Sequence, residues 1–273
     1  MHPSPDAGAA RPILHHIPIC PFSQRLEILL ALKGARDAAE FRTVDITRPR
    51  SEHILRLTGG STALPVMELP GGRALKESLV LMDYLETSIP APPVRRADPY
   101  ERGIESLLCT LADPLIGAGY RLVMNQDRAK RDELVQAYFE AAAQVDAFLR
   151  AHATGPGPWL FDRFGWAEAV FTPFFQRFAF IPYYEGIDLP EDERFARVRA
   201  WRAACVAHPA AQQSSEEEIV KLYYDYAMGC GNGALPPGRK VSSFAFEPHW
   251  KSRPMPPRGK YESGATDAEL GLA

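Results

Sequence analysis

The chain has 273 residues, more than one ordinary domain needs and enough for two. Apolar residues make up 46% and charged residues 24%, average globular values that argue against disordered and fibrous architectures. A net charge of −3, from 31 basic and 34 acidic side chains, provides no basic stripe for capturing nucleic acid.

Met1–Arg11 is small and polar, without the apolar core of a secretory signal, and the uninterrupted apolar stretches fall short of a bilayer span. Four cysteines, Cys20, Cys109, Cys205 and Cys230, stand far apart with no Cys-x-x-Cys pair. The expectation is a protein of the reducing cytoplasm with neither a disulfide framework nor a membrane partner.

Residues 12–90 form the first predicted domain. Ile13–Ile17 reads as a strand, and Leu26, Leu29, Leu30 and Leu32 follow at helical spacing. Phe41–Ile46 alternates as a second strand. Val66–Leu69, a Pro70-Gly71-Gly72 turn and Arg73–Leu75 read as a hairpin. Leu79, Leu81, Met82 and Leu85 carry a closing helix up to Pro90. The order βαβ then ββα predicts a small mixed sheet packed with helices.

Ala91–Asp98, rich in proline and arginine, reads as a linker. Residues 98–229 carry helical periods over Ile104–Met124, Leu134–Leu149, Trp166–Phe180, Phe195–Val206 and Ile219–Met228, which predicts an all-helical bundle. Phe171, Phe174, Phe175, Phe178 and Phe180 mark its buried central helix. Residues 230–273 are rich in glycine and proline, but Phe244, Phe246, Trp250 and Tyr261 supply enough apolar surface for an ordered, wrapped extension.

The chemistry lies at the end of the first strand. In Ile19-Cys20-Pro21-Phe22-Ser23-Gln24-Arg25 a cysteine stands immediately before a helix. There it faces unpaired backbone N–H groups and the positive end of the helix dipole, which favour thiolate. Pro21 suits the first helical position. Ser23 occupies the place where a dithiol oxidoreductase has its second cysteine, so a mixed disulfide on Cys20 needs an external thiol to resolve it.

Ala63-Leu64-Pro65-Val66 puts a proline, compatible with a cis peptide, at the start of a strand and leaves the Leu64 backbone to pair with an extended peptide. Lys76-Glu77-Ser78 opens the closing helix, whose first amides and Ser78 hydroxyl can bind a carboxylate. A thiolate, a peptide-pairing edge and a carboxylate nest together fit a γ-glutamyl-cysteinyl-glycine tripeptide. His15-His16 offers no metal site by itself, because adjacent strand residues point to opposite faces and no carboxylate or cysteine cluster accompanies them in sequence. Gly229-Cys230-Gly231-Asn232-Gly233 follows a helix, where a phosphate loop follows a strand.

On Cys20-Pro21-Phe22, Leu64-Pro65 and Glu77-Ser78 the chain resembles the cytosolic glutathione transferases of the cysteine, omega-like type. The resemblance implies a thioredoxin-like first domain, an α-helical second domain and a homodimer. It implies Cys20 as the catalytic residue, Phe22, Leu64, Pro65, Glu77 and Ser78 as the glutathione site, glutathione as co-substrate and no metal. Tyr120, Tyr223 and Tyr224, with Tyr226 beside them, become candidates for the hydrophobic substrate site of the helical domain, of which only one of Tyr223 and Tyr224 should face a ligand. Arg48, His53 and Arg56 are the basic residues open to the role of the omega lysine at the glycyl carboxylate. Phe161–Glu168 resembles the family's helix-capping segment, with Gly165 in place of Ser or Thr and so a weaker cap.

A more specific similarity is to the glutathione lyases of bacterial lignin β-aryl-ether breakdown. It is carried by His16-Ile17-Pro18, Gly59–Pro65, Leu222–Tyr226, Arg253–Arg258 and Thr266–Leu272. It implies thioether cleavage of an α-glutathionyl aryl ketone through a Cys20 mixed disulfide. A general glutaredoxin-like thiol transferase and a non-catalytic glutathione-binding protein are the alternatives.

Overall fold

The computed structural model describes residues 11–231, 233–262 and 264–273; the expectation for the extreme N-terminus therefore lies almost wholly outside the described residues. The chain divides into two compact units, Met1–Asp45 with Pro49–Val94, and Ile46–Arg48 with Arg95–Ala273.

In the first unit the order is β1 (Ile13–His16), α1 (Pro21–Leu32), β2 (Glu40–Thr43), α2 (Glu52–Thr58), β3 (Val66–Glu68), β4 (Ala74–Lys76) and α3 (Ser78–Ser88). The sheet runs β2-β1-β3-β4. β1 and β2 are parallel, as a helical crossover requires, with Leu14 opposite Phe41. β3 is antiparallel to β1, Met67 opposite Leu14, and β4 antiparallel to β3. Leu14 and Met67 are fully buried, and so are Leu26 and Leu29 of α1 and Leu81 and Met82 of α3. This is the thioredoxin-like arrangement of a mixed sheet with helices. The tight turn before β4 depends on Gly71 and Gly72, both at positive φ (86° and 79°).

Two details differ from the sequence expectation. β2 ends at Thr43, short of Ile46, and the bond from Val44 N to His16 O (2.7 Å) is its last link. Between β2 and β3 lies α2, for which no periodicity spoke. It spans only Glu52–Thr58 and buries only Ile54 and Thr58, so its signal is its ends: Ser51 Oγ accepts from Ile54 N, and Gly59 stops it at φ 67°.

The second unit contains α4 (Pro99–Thr110), α5 (Ala112–Met124), α6 (Arg131–His152), α7 (Trp166–Arg177), α8 (Phe180–Glu185), α9 (Ala196–Ala207), α10 (Glu216–Leu222) and α11 (Tyr224–Ala227). The single period read over Ile104–Met124 is two helices that meet at Leu111. Taken as one run, Pro99–Met124 has the length and apolarity of a membrane span. Here it breaks at Leu111 and turns Ile104, Leu108, Leu115 and Leu122 into the bundle. α7 is buried along its whole length, and Phe171 and Phe175 pack on Trp201 of α9.

The glycine- and proline-rich extension is ordered and carries only a single 3₁₀ turn, Trp250–Ser252, among its described residues. Polar anchors hold it. The Arg253 guanidinium donates to the carbonyls of Ser243 and Pro248 (2.7 Å each). Lys260 Nζ donates to the Leu122 and Val123 carbonyls (2.9 and 2.8 Å) and pairs with Glu185. Those carbonyls belong to the last turn of α5, where a cation is favoured by the helix dipole.

The Lys260 and Glu185 side chains are both fully buried, and Arg131 Nε is the other cation on Glu185 (3.0 Å). Lys260→Met keeps the stem but leaves Arg131 alone against a buried carboxylate, and is expected to cost about 3 kcal/mol in urea denaturation. The double variant Lys260→Met/Glu185→Gln should recover part of that loss. A Lys260→Met protein as stable as wild type would show that the latch contributes nothing.

Candidate active site

Cys20 is the N-cap of α1, in extended conformation, with Pro21 at the first helical position. Its backbone already serves the helix: Cys20 O accepts from Gln24 N at 3.0 Å. The amides of Phe22 and Ser23 fall in the first turn, where no intrahelical acceptor exists. The thiol is partly exposed, and its Sγ lies 4.0 Å from Leu64 O. Cys20 and the Leu64–Pro65 edge are thus neighbours, and that peptide is cis. β3 begins only at Val66, so Leu64 stands outside the ladder. Ser23 is fully buried with no hydrogen-bond partner for its hydroxyl among the described residues.

The third piece is the start of α3. Glu77, the N-cap, has φ 69° and ψ 114°, and is the one non-glycine residue with positive φ among the described residues. Such a backbone costs on the order of 1–3 kcal/mol and persists only where its surroundings impose it. Its exposed side chain makes no capping bond, which leaves the first-turn amides of α3 without an acceptor from the N-cap side chain. Ser78 is buried, and its Oγ accepts from Arg25 Nη1 at 2.9 Å.

Arg25 is a site residue that sequence reasoning missed. It is 2% exposed and sits one turn before Leu29 on the apolar face of α1, which was the available signal. It joins the thiol helix to α3, and its guanidinium lies 5.3 Å from the centre of the Phe22 ring. Phe22 itself is exposed (37%). Of the basic residues considered for a glycyl carboxylate, Arg48 and Arg56 are exposed, Arg56 standing 3.8 Å from Glu52. His53 instead bonds Glu68. His15 bonds the same carboxylate (3.0 Å), so a carboxylate distant in sequence does accompany it, contrary to the expectation from sequence. His16, on the opposite face, packs against Phe41, and burial pushes its pKa down to about 4.

In the helical unit the tyrosines separate. Tyr120 of α5, Tyr223 at the α10–α11 junction and Tyr226 of α11 form one cluster, with centroids 5.1–6.4 Å apart, beside Phe180 and Phe244. Tyr120 and Tyr223 share a hydrogen bond, and burial holds the Tyr120 phenol well above its usual range, so it keeps its proton. Tyr224 turns away. Its ring meets Tyr184 and its hydroxyl accepts from Ala265 N (2.7 Å) in the extension. The Cys205 and Cys230 thiols are both pushed up by burial, which suits packing rather than nucleophilic chemistry.

Residues 19–88 match the family described as glutathione S-transferase, N-terminal domain, and residues 129–204 match its C-terminal domain. The chain belongs to the glutathione transferase family. It is 33% identical to glutathione S-transferase U7 of Arabidopsis thaliana over 117 residues, 43% of this chain and half of that relative. It is 24% identical to glutathione S-transferase omega-1 of Mus musculus, over 76% of this chain and 80% of the relative. Among solved structures it is similar to glutathione transferase Omega 2S from Trametes versicolor in complex with 2,4-dihydroxybenzophenone. That match has a TM-score of 0.59 at 18% identity and covers 74% of this chain and 91% of the other.

This transferase is expected to separate stability from binding at Glu77 and Ser78. Glu77→Gly relieves the positive φ, so urea denaturation should find it as stable as wild type or more so, while calorimetry finds weaker glutathione binding. Ser78→Ala should weaken glutathione by about 1 kcal/mol and lower stability by about 2 kcal/mol, since a buried guanidinium loses its acceptor. Unchanged glutathione affinity in both variants would remove the start of α3 from the site.

Proposed function

We propose that this transferase is a glutathione lyase that removes glutathione from the α-carbon of an aryl ketone. The observation that carries the reading is Cys20, a thiol at a helix start 4.0 Å from Leu64 O, with Ser23 where a resolving thiol would stand. The Cys20 thiolate attacks the thioether sulfur, an S–S bond forms and the C–S bond breaks. The electron pair leaves on carbon, which is feasible because the adjacent carbonyl takes it up as an enolate. Protonation gives the ketone. A second glutathione attacks the mixed disulfide, leaves as oxidised glutathione and restores Cys20. Thioether and glutathione go to ketone and glutathione disulfide, with no other oxidant.

The Tyr120–Tyr223–Tyr226 cluster supports the ketone requirement, since phenol hydroxyls in an apolar setting are donors suited to a developing enolate oxygen. Tyr223 is assigned that donor role, because Tyr224 lies outside the cluster, its ring against Tyr184 and its hydroxyl against Ala265 of the extension. The fungal neighbour was solved with a diaryl ketone, 2,4-dihydroxybenzophenone, which is consistent with an aromatic carbonyl ligand for this chain. The resemblance of Gly59–Pro65, Leu222–Tyr226 and the Arg253–Arg258 and Thr266–Leu272 strings to the lyases of lignin β-aryl-ether breakdown is the ground for proposing a role in aromatic catabolism. Four free cysteines accord with a reducing cytoplasm. Exposed Leu79 and Val80 on α3 offer apolar surface for a homodimer.

Turnover of an α-glutathionyl aryl ketone, measured beside hydroxyethyl disulfide reduction, tests the reading. The ketone thioether should be the better substrate; the reverse preference would make the protein a glutaredoxin-like thiol transferase. Cys20→Ser should lose nearly all of both activities, because a hydroxyl forms no mixed disulfide. Tyr223→Phe should lower ketone turnover by about 10²–10³ and spare disulfide exchange. Equal loss of the two activities in Tyr223→Phe would discard it as the enolate donor.

A further inference from the structure

We infer that His15, His53 and Glu68 form a binding site for a divalent cation of the zinc class. Three elements of the first unit build it. In the β1–β3 ladder Ile13 stands opposite Glu68 and His15 opposite Val66, so alternation places His15 and Glu68 on one face of the sheet. α2 supplies His53. Both imidazole Nε2 atoms converge on the same carboxylate oxygen, Glu68 Oε2, at 3.0 Å from His15 and 2.9 Å from His53. The ligand atoms all lie within 4.8 Å of one another, and the two rings meet edge to face at 5.6 Å.

Those spacings are near what a metal needs. With zinc–nitrogen and zinc–oxygen bonds of about 2.0–2.2 Å, two ligand atoms of a tetrahedron stand roughly 3.3–3.5 Å apart. Each Nε2–Oε2 gap therefore has to open by about half an ångström, and the two Nε2 atoms, no more than 4.8 Å apart, have to close by at most about 1.5 Å. Two imidazoles and one carboxylate is a donor set that suits zinc and leaves a fourth position. Burial grades across the site: the side chains of His15, Glu68 and His53 are 7%, 21% and 45% exposed. The buried histidine makes a fixed floor and the exposed one an opening through which an ion or water reaches the fourth position. A competing cation, Arg42 opposite His15 on β2, bonds Glu40 through Nε–Oε1 (2.6 Å) and Nη2–Oε2 (3.3 Å) and reaches Glu68 only through its field. A bound cation would staple α2 to the sheet just ahead of the loop that leads to Leu64 and Pro65, so occupancy would stiffen the segment that carries that edge.

The test is titration of the full chain with Zn²⁺ by calorimetry and with Co²⁺ by absorption, in wild type and in Cys20→Ser. Saturable one-to-one uptake is expected in both, with tetrahedral Co²⁺ bands and no thiolate-to-metal charge-transfer band. His53→Ala and Glu68→Gln should each weaken uptake at least about tenfold, since losing even an outer-shell partner of a metal ligand costs 10–100-fold. His53 is half exposed, so His53→Ala should melt like wild type in chelator and lose the rise in Tm that Zn²⁺ gives the wild type. No saturable uptake, affinity equal in wild type and both variants, or a thiolate band that disappears in Cys20→Ser would each overturn the site.

Discussion

The first unit turns on the buried contact between Arg25 and Ser78. One guanidinium, 2% exposed, bonds the first residue of α3 from the second turn of α1. A charge so deeply buried is tolerated only when hydrogen-bonded, so the two helix starts are locked in register. The consequence is chemical. Cys20 at one helix start and the first-turn amides at the other become fixed points on a single piece, with the Leu64 carbonyl beside the thiol. A tripeptide that must meet all of these finds them already arranged, which reduces the ordering cost of binding.

The backbone at Glu77 belongs to the same constraint. A positive φ on a charged, exposed residue has no stabilising contact of its own, and the turn from β4 into α3 imposes it. Strain of this kind persists only where the surrounding structure over-determines it.

In the helical unit buried charges do the organising too. Glu168 accepts from Leu160 N (2.8 Å), Gly165 N (3.0 Å) and Trp201 Nε1 (3.0 Å), tying the loop before α7 and the core of α9 to one carboxylate. Gly165 has no hydroxyl to return a bond, so only the glutamate half of the cap forms, as the sequence led one to expect. Lys260 does for the extension what Glu168 does for the bundle, and it does so at the end of α5, the helix that presents Tyr120. The extension is thereby linked mechanically to the phenol cluster, to which it also contributes Phe244.

Local features were legible from residues alone. A cysteine, a proline and an apolar-periodic helix in succession define the Cys20 site, because capping and helix polarity act over a single turn. The cis-compatible Leu64-Pro65 and the helix start at Glu77-Ser78 are equally short-range. Hydrophobic periodicity located the long helices, since each buries one face. It failed at α2, too short to show a period, and at Leu111 and Tyr223, where two helices share one apolar stripe. What lay beyond sequence was partnership at a distance. Arg25 finds Ser78 across 53 residues, His15 finds Glu68 across the same separation, and Tyr224 finds Ala265 across 41. The amino-acid sequence by itself determined the thiol, its place at a helix start and the two-part architecture. Only the tertiary structure decided which tyrosines stand together, which guanidinium couples the helix starts and which histidines share a carboxylate, because side-chain direction and long-range pairing are set by packing and not by spacing along the chain.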